Sequence, residues 1–191
     1  FDTPDEFIQI LARSVLGQTW RDFEWVILDN GSSVGATRAA LDRLANDPRV
    51  RLFRVERNLG IIGGMSYVLE RASRRYVLPL DSDDYLFPDA LTIVASVAQR
   101  HDYPPLLFSD EDKLRDDGHT DPFFKPDWDP VLLRNCCYIA HLCASDRQRA
   151  MKLGAYSDPA AEGCHDWDTF LRFVRAGHEA AHIPEILYSW R

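Results

Sequence analysis

The sequence predicts one α/β domain with a mostly parallel central sheet flanked by helices. Three observations lead there. Short apolar runs alternate with helical patterns of roughly 10–15 residues through the first half of the chain, which places helices over both faces of a parallel sheet. Asp29 and Asp81 each follow directly on an apolar run, so both fall on the carboxyl rim, where such sheets bind ligands. The chain has 191 residues, 46% hydrophobic and 27% charged, enough for one core and too few for two independent domains.

The elements follow in order. Thr3-Pro4-Asp5-Glu6 combines a capping residue, a proline at the first helical position and a glutamate three after the cap. Phe7, Leu11 and Val15 then recur at helical spacing. Glu24 to Leu28 reads as a strand ending at Asp29, and Asn30-Gly31-Ser32-Ser33 as a turn. A helix to about Ala45 stops before Asp47-Pro48, and Val50 to Val55 is a second strand. Asn58-Leu59-Gly60 is a turn, Met65, Leu69 and Ala72 mark a helix, and Tyr76 to Leu80 is a third strand ending at Asp81. Pro88 to about Arg100 is helical, and Leu106-Leu107-Phe108 is a strand running into an acidic turn, Ser109-Asp110-Glu111-Asp112. Lys113 to Pro130 is polar and proline-containing and reads as a long loop. Tyr138 to Ala144 is a strand, Ser145 to about Leu153 a helix, and Asp166 to Ala176 a helix ended by Gly177. Ile183 and Ile186 to Trp190 are short apolar runs.

Composition narrows the function. The formal charge is −8, which repels a phosphate backbone and argues against nucleic acid as a partner. A divalent cation could still bring a phosphate compound to an acidic site. No apolar run of about 18 residues is present to span a membrane, and no signal-peptide pattern opens the chain. The four cysteines, Cys136, Cys137, Cys143 and Cys164, form no C-x-x-C pair and read as free thiols in a reducing compartment.

Asp81-Ser82-Asp83-Asp84 is the densest chemical signal. Three carboxylates in four residues repel one another unless a cation gathers them, and D-x-D spacing lets Asp81 and Asp83 converge on Mg²⁺ or Mn²⁺. The same run could instead be a turn capping the next helix. Asp166, at the start of its helix, is either a first-turn capping acid or a general base. Asp168 falls on another helix face and reads as structural. Asp29 either hydrogen-bonds a base or ribose or forms a turn with Gly31. Trp128, Trp167 and Trp190 either stack on a sugar or pack in the core. The Asp110-Glu111-Asp112 run reads as a solvated turn, relevant only if it faces the same rim.

These motifs together resemble the family 2 glycosyltransferases, inverting enzymes with the GT-A nucleotide-sugar fold. Ser14-Val15-Leu16-Gly17-Gln18-Thr19-Trp20 is similar to the family's first helix and turn, and Glu24 to Ser32 to its strand and nucleotide turn. Asn58-Leu59-Gly60 is similar to its Asn-x-Gly segment, and Leu80 to Asp84 to its metal-binding acids. Phe108 to Lys113 and Phe124-Lys125-Pro126-Asp127-Trp128 resemble a subgroup of bacterial surface-polysaccharide and O-antigen transferases. Glu162-Gly163 with Asp166-Trp167-Asp168, and His182 to Tyr188 with Trp190-Arg191, resemble the catalytic and closing segments.

The resemblance implies a role for each of these residues. Asp29, Asn58, Asp81 and Ser82 would bind the nucleotide sugar, and Asp81 and Asp83 the divalent metal. Asp166 would take the acceptor's proton, while Asp110, Glu111 and Trp167 would contact donor sugar or acceptor. The donor would be a UDP- or dTDP-sugar and the acceptor a glycan or lipid-linked glycan. The reaction would take place in the cytoplasm or at the inner face of its membrane. The sequence departs from the family at Asn30, usually acidic, at Ser66, often Asn, at His165, often Glu or Gln, and at Ser189, often His. It also begins where the family's first, central strand should end, which implies a chain cropped at its N-terminus. Two other readings share these features. A nucleotidyltransferase would release pyrophosphate and normally carries a glycine-rich basic loop, which is not seen here. A non-catalytic carbohydrate-binding module need not bind nucleotide or metal at all.

Overall fold

The computed structural model describes residues 1–191. In chain order the elements are α1 (Asp5–Leu16), β1 (Trp25–Asn30), α2 (Gly35–Leu44), β2 (Val50–Val55), α3 (Gly60–Arg71), β3 (Tyr76–Val77), β4 (Tyr85–Leu86) and α4 (Ala90–Arg100). They continue with β5 (Leu106–Arg115), β6 (Gly118–Phe123), α5 (Pro130–Leu133), β7 (Cys143–Asp146), α6 (Arg147–Lys152), a 3₁₀ turn (Pro159–Ala161), α7 (His165–Arg175) and β8 (Ala180–Trp190).

The strand at the centre explains the layering. Leu106, Leu107 and Phe108 of β5 are fully buried, and their side chains alternate across the sheet. Leu106 and Phe108 join the core built with Phe170, Phe173 and Val174 of α7. Leu107 joins the opposite core, with Ala90, Val94 and Val97 of α4 and Ile183 and Leu187 of β8. Each such large apolar side chain contributes about 1.5–3 kcal/mol by leaving water. A smaller cluster, Ile8 with Ala40 and Leu41, packs α1 against α2 over Ile27 and Leu52.

The α/β class and the two-sided helical cover are as the sequence predicts, but the strand directions are mixed. β1–β2 and β5–β8 are parallel, whereas β3–β7, β4–β8, β5–β6 and β5–β7 are antiparallel. The stretch from Lys113 to Pro130, read as a loop, starts as a hairpin. β5 continues to Arg115 and returns as β6 after Asp116-Asp117, with Gly118 at φ 121°. So short a connection can join only antiparallel strands. The strand expected over Tyr138–Ala144 lies instead at Cys143–Asp146. The two apolar runs near the C-terminus form one strand. Its register slips between Ile183 and Ile186, so that Pro184 needs no ladder partner. Thr3 does not cap α1; its hydroxyl meets that of Ser82 at 2.8 Å.

Two separate sheets result, β1–β2 and a six-stranded one that has β3 at an edge. β1 pairs on one side only, with β2, and β3 on one side only, with β7. An apolar cleft of about 670 Å³ lies between them, lined by Trp25–Asn30 on one wall and Tyr76–Leu80 on the other, with Phe1 also contributing.

Candidate active site

The acidic turn follows the apolar stretch from Tyr76. Asp84 is buried, 3% exposed, and both its oxygens are taken. Tyr188 donates its hydroxyl to Oδ2 (2.5 Å), and the Arg191 amide donates to Oδ1 (3.0 Å). Burial pushes Asp84 up to about 6; the two hydrogen bonds oppose that, and the charges of Asp81 and Asp83 add to it. Asp81 and Asp83 engage the protein through backbone atoms. The Asp81 amide donates to the Tyr188 hydroxyl (3.4 Å), and the Asp83 carbonyl accepts from Arg191 (3.4 Å). One acid therefore anchors the turn, and the other two carboxylates are left free above it. Tyr188, fully buried and stacked on His141, is a site residue to which the sequence reading gave no role.

The turns that follow β1 and β2 brace each other. Asn30 donates to Asn58 Oδ1 (3.2 Å) and to the Gly60 carbonyl (3.1 Å), and accepts from the Leu59 amide (2.8 Å). Asn58 Oδ1 also accepts from the Gly60 amide (2.8 Å). Gly31, at φ 80°, lets the turns touch: a Cβ there would lie 2.8 Å from the Asn58 nitrogen. Asp29 is 2% exposed, and its oxygens accept from the Ser32 amide (3.0 Å) and Arg54 Nε (3.2 Å). Burial raises its pKa, but the bonds from Ser32 and Arg54 outweigh that and hold it below the ordinary value. Its carboxylate thus closes the turn while Asn30 binds across to the next one.

Asp166 lies in the first turn of α7, as the sequence predicts. Oδ2 is 3.6 Å from His165 Nε2, and Oδ1 is buried without a hydrogen-bond partner. Burial raises its pKa; His165, His141 and Tyr156 oppose this, and the charge of Asp81 adds to it. Asp81 and Asp166 thus stand within each other's electrostatic reach, although 85 residues separate them in sequence. Asp168 pairs with Arg172 Nε at 2.7 Å and is structural.

Asp110 and Glu111 do not form a solvated turn. They lie in β5, 3% and 7% exposed. Asp110 Oδ1 accepts from the Lys125 amide (2.9 Å) and bonds His182 Nε2 (2.8 Å). Glu111 Oε2 accepts from Lys125 Nζ (2.8 Å) and from the His141 amide. These acids fasten the Lys125 segment and His141 to the sheet. Trp167 is likewise engaged, donating to the Leu133 carbonyl (2.6 Å) beside the core. Ser189 is fully buried and bonds His119 Nδ1 (2.9 Å).

A family model, Glycosyl transferase family 2, matches residues 5–147. The chain belongs to this family. It is 34% identical to the uncharacterized protein y4gI of Sinorhizobium fredii over 98% of the chain and 21% of that protein. It is 30% identical to the O-antigen biosynthesis protein RfbC of Myxococcus xanthus over 100% of the chain and 15% of that protein. The chain thus spans about a fifth or less of the length of these relatives. Among solved structures, S. aureus TarS 1-349 in complex with UDP superimposes with a TM-score of 0.79 at 19% identity, covering 98% of this chain and 56% of that one. The mannosyltransferase PcManGT of Pyrobaculum calidifontis, in complex with GDP-Man and Mn2+, gives 0.71 at 17%, covering 98% and 53%. The fold is GT-A.

Proposed function

We propose that this glycosyl transferase family 2 domain moves a sugar from a nucleotide diphosphate donor to an acceptor hydroxyl with inversion, in the building of a bacterial surface polysaccharide. One observation carries the reading: the buried Asp166 lies within electrostatic reach of Asp81, in the acidic turn 85 residues earlier. The relatives' names and the UDP and GDP-Man complexes support the substrate class.

The donor set suits a divalent metal completed by substrate. No group of three or more His, Cys, Asp or Glu side chains converges to hold an ion alone. Two unpartnered carboxylates, Asp81 and Asp83, match Mg²⁺ or Mn²⁺, which take one or two protein acids and fill the shell with phosphate and water. Bound there, the ion would supply positive charge to the diphosphate leaving group.

The chain's own residues do the rest. Tyr188 and Arg191 hold Asp84 and so fix the turn that presents Asp81 and Asp83. The Asn30–Asn58 brace shapes the nucleotide side. Ionised Asp166 accepts the acceptor hydroxyl's proton as the oxygen attacks the anomeric carbon from the face opposite the leaving group. Its burial raises its basicity toward that task. A general base of this kind supplies about 10²–10⁴ in rate. The test pairs two variants in a radiolabelled-donor assay on isolated surface glycans. Asp83→Ala should lose Mn²⁺-dependent donor binding. Asp166→Asn should keep donor binding and lose transfer; transfer at the original rate would refute the base assignment.

The cleft between β1 and Tyr76–Leu80 is, on the same reading, the seat of one extended strand running parallel to β1 and leading into Phe1. Each wall has an unpaired strand edge. Asp2 is pinned at the carboxyl end of β1 through Ser32, Ser33 and Val34, so such a strand would enter from the Trp25 end.

A further inference from the structure

α3 has no cap of its own. Its N-cap residue, Leu59, offers no side-chain bond, and its first turn holds no acid. The cap comes from 100 residues away: Glu162 accepts from the Ile61 amide (2.8 Å, Oε1) and the Ile62 amide (3.2 Å, Oε2). These hydrogen bonds hold the Glu162 carboxyl below its ordinary pKa. Gly60, at φ 75°, leaves room for it; a Cβ would sit 3.3 Å from Oε1. An anion bound to two free amides at a helix start is favoured by both hydrogen bonding and the helix dipole.

The position of this contact gives it meaning. On one side stand Asn58 and Gly60, braced to Asn30. On the other, Glu162 follows the 3₁₀ turn and precedes Asp166 by four residues, with Gly163 at φ 87° between them. The other hydrogen bonds from α3 toward this half are at its far end, where Arg147 donates to the carbonyls of Leu69 and Glu70. Near the rim, Glu162 is the hydrogen-bonded tie between the nucleotide turn and the segment leading to Asp166, beside the apolar packing that Ile62 shares with Ala161 and Phe170. We infer that Glu162 is a positioning residue that sets the base-bearing segment against the nucleotide turn and passes donor occupancy to it. The inference rests on the proposed donor site and base, and adds a coupling that neither requires.

Amide hydrogen exchange by NMR on the whole 191-residue chain tests it, without and with UDP plus Mn²⁺. Glu162→Ala should speed exchange of Ile61 and Ile62 and of residues 163–168 at least tenfold. Glu162→Gln retains a carbonyl acceptor and should stay within about threefold of the original chain. UDP with Mn²⁺ should slow residues 163–168 in the original chain and in Glu162→Gln, but only the nucleotide turn in Glu162→Ala. If Glu162→Ala leaves residues 163–168 within twofold of the original chain, the inference is overturned whatever UDP does. If UDP with Mn²⁺ alters no amide in the original chain, the proposed donor site fails and so does the coupling, while the nucleotide-free comparison still judges the tie itself.

Discussion

Replacing Lys125 with methionine keeps most of the side chain's volume and removes its charge. The Lys125 side chain is fully buried, its Nζ 2.8 Å from Glu111 Oε2, and it also donates to the His141 carbonyl. Burial pulls its pKa down, and the neighbouring Glu111 charge and hydrogen bond oppose that. In Lys125→Met the Glu111 carboxylate, with its side chain 10% exposed, keeps only the His141 amide. Removing one partner of a buried pair costs about 3–5 kcal/mol, a large share of a total stability of about 5–15 kcal/mol. Removing both partners costs far less than the sum. Lys125→Met with Glu111→Leu should therefore show a coupling of at least about 2 kcal/mol, within the range for residues in contact. Urea unfolding at pH 7, followed by fluorescence, measures all four corners of the cycle. A single-variant loss under about 1 kcal/mol, or additivity within about 0.5 kcal/mol, would show that the pair does not fasten this segment.

Four further outcomes follow from the geometry. Gly31→Ala forces a side chain into a left-handed backbone and against the Asn58 nitrogen, so thermal unfolding should show a loss of about 1–3 kcal/mol. Asp166 has a folded-state pKa raised by burial, so its ionised form destabilises the fold. Asp166→Asn should therefore be the more stable protein at pH 7, and its advantage should vanish as pH falls below the unfolded value of about 3.9. Transfer by the original chain should decline on acidification through a pKa above that value; a limb at or below it would contradict the stated cause. Extending the chain before Phe1 with an alternating Val/Thr strand of six residues should raise the melting temperature and slow exchange of the Trp25–Asn30 amides, and no change in either would empty the cleft of that role.

Much of this was legible in the residues, for identifiable reasons. β2 was readable to its ends, and α7 to within a residue, because periodicity and punctuation agreed there. Asp81, Asp83 and Asp166 were singled out because strand ends and helix starts are local features. Other features were set by distant partners. Asp110 and Glu111 looked solvated because four polar residues follow Phe108. Lys125, His141 and His182, arriving from elsewhere in the chain, make burial affordable. The β5–β6 hairpin did carry a local signal, Asp117-Gly118, which the polar character of the stretch obscured. Tyr188 under the acidic turn, and Glu162 on α3, act across 104 and 100 residues, a separation that no pattern in one sequence encodes.

Calorimetric titration of UDP, GDP and dTDP into the chain, with Mn²⁺ and then with chelator, tests the central claim most directly. The account predicts that at least one nucleoside diphosphate binds with Mn²⁺ present and that its binding is lost in chelator. Equal binding in chelator, or no binding of any of the three with Mn²⁺, would contradict it.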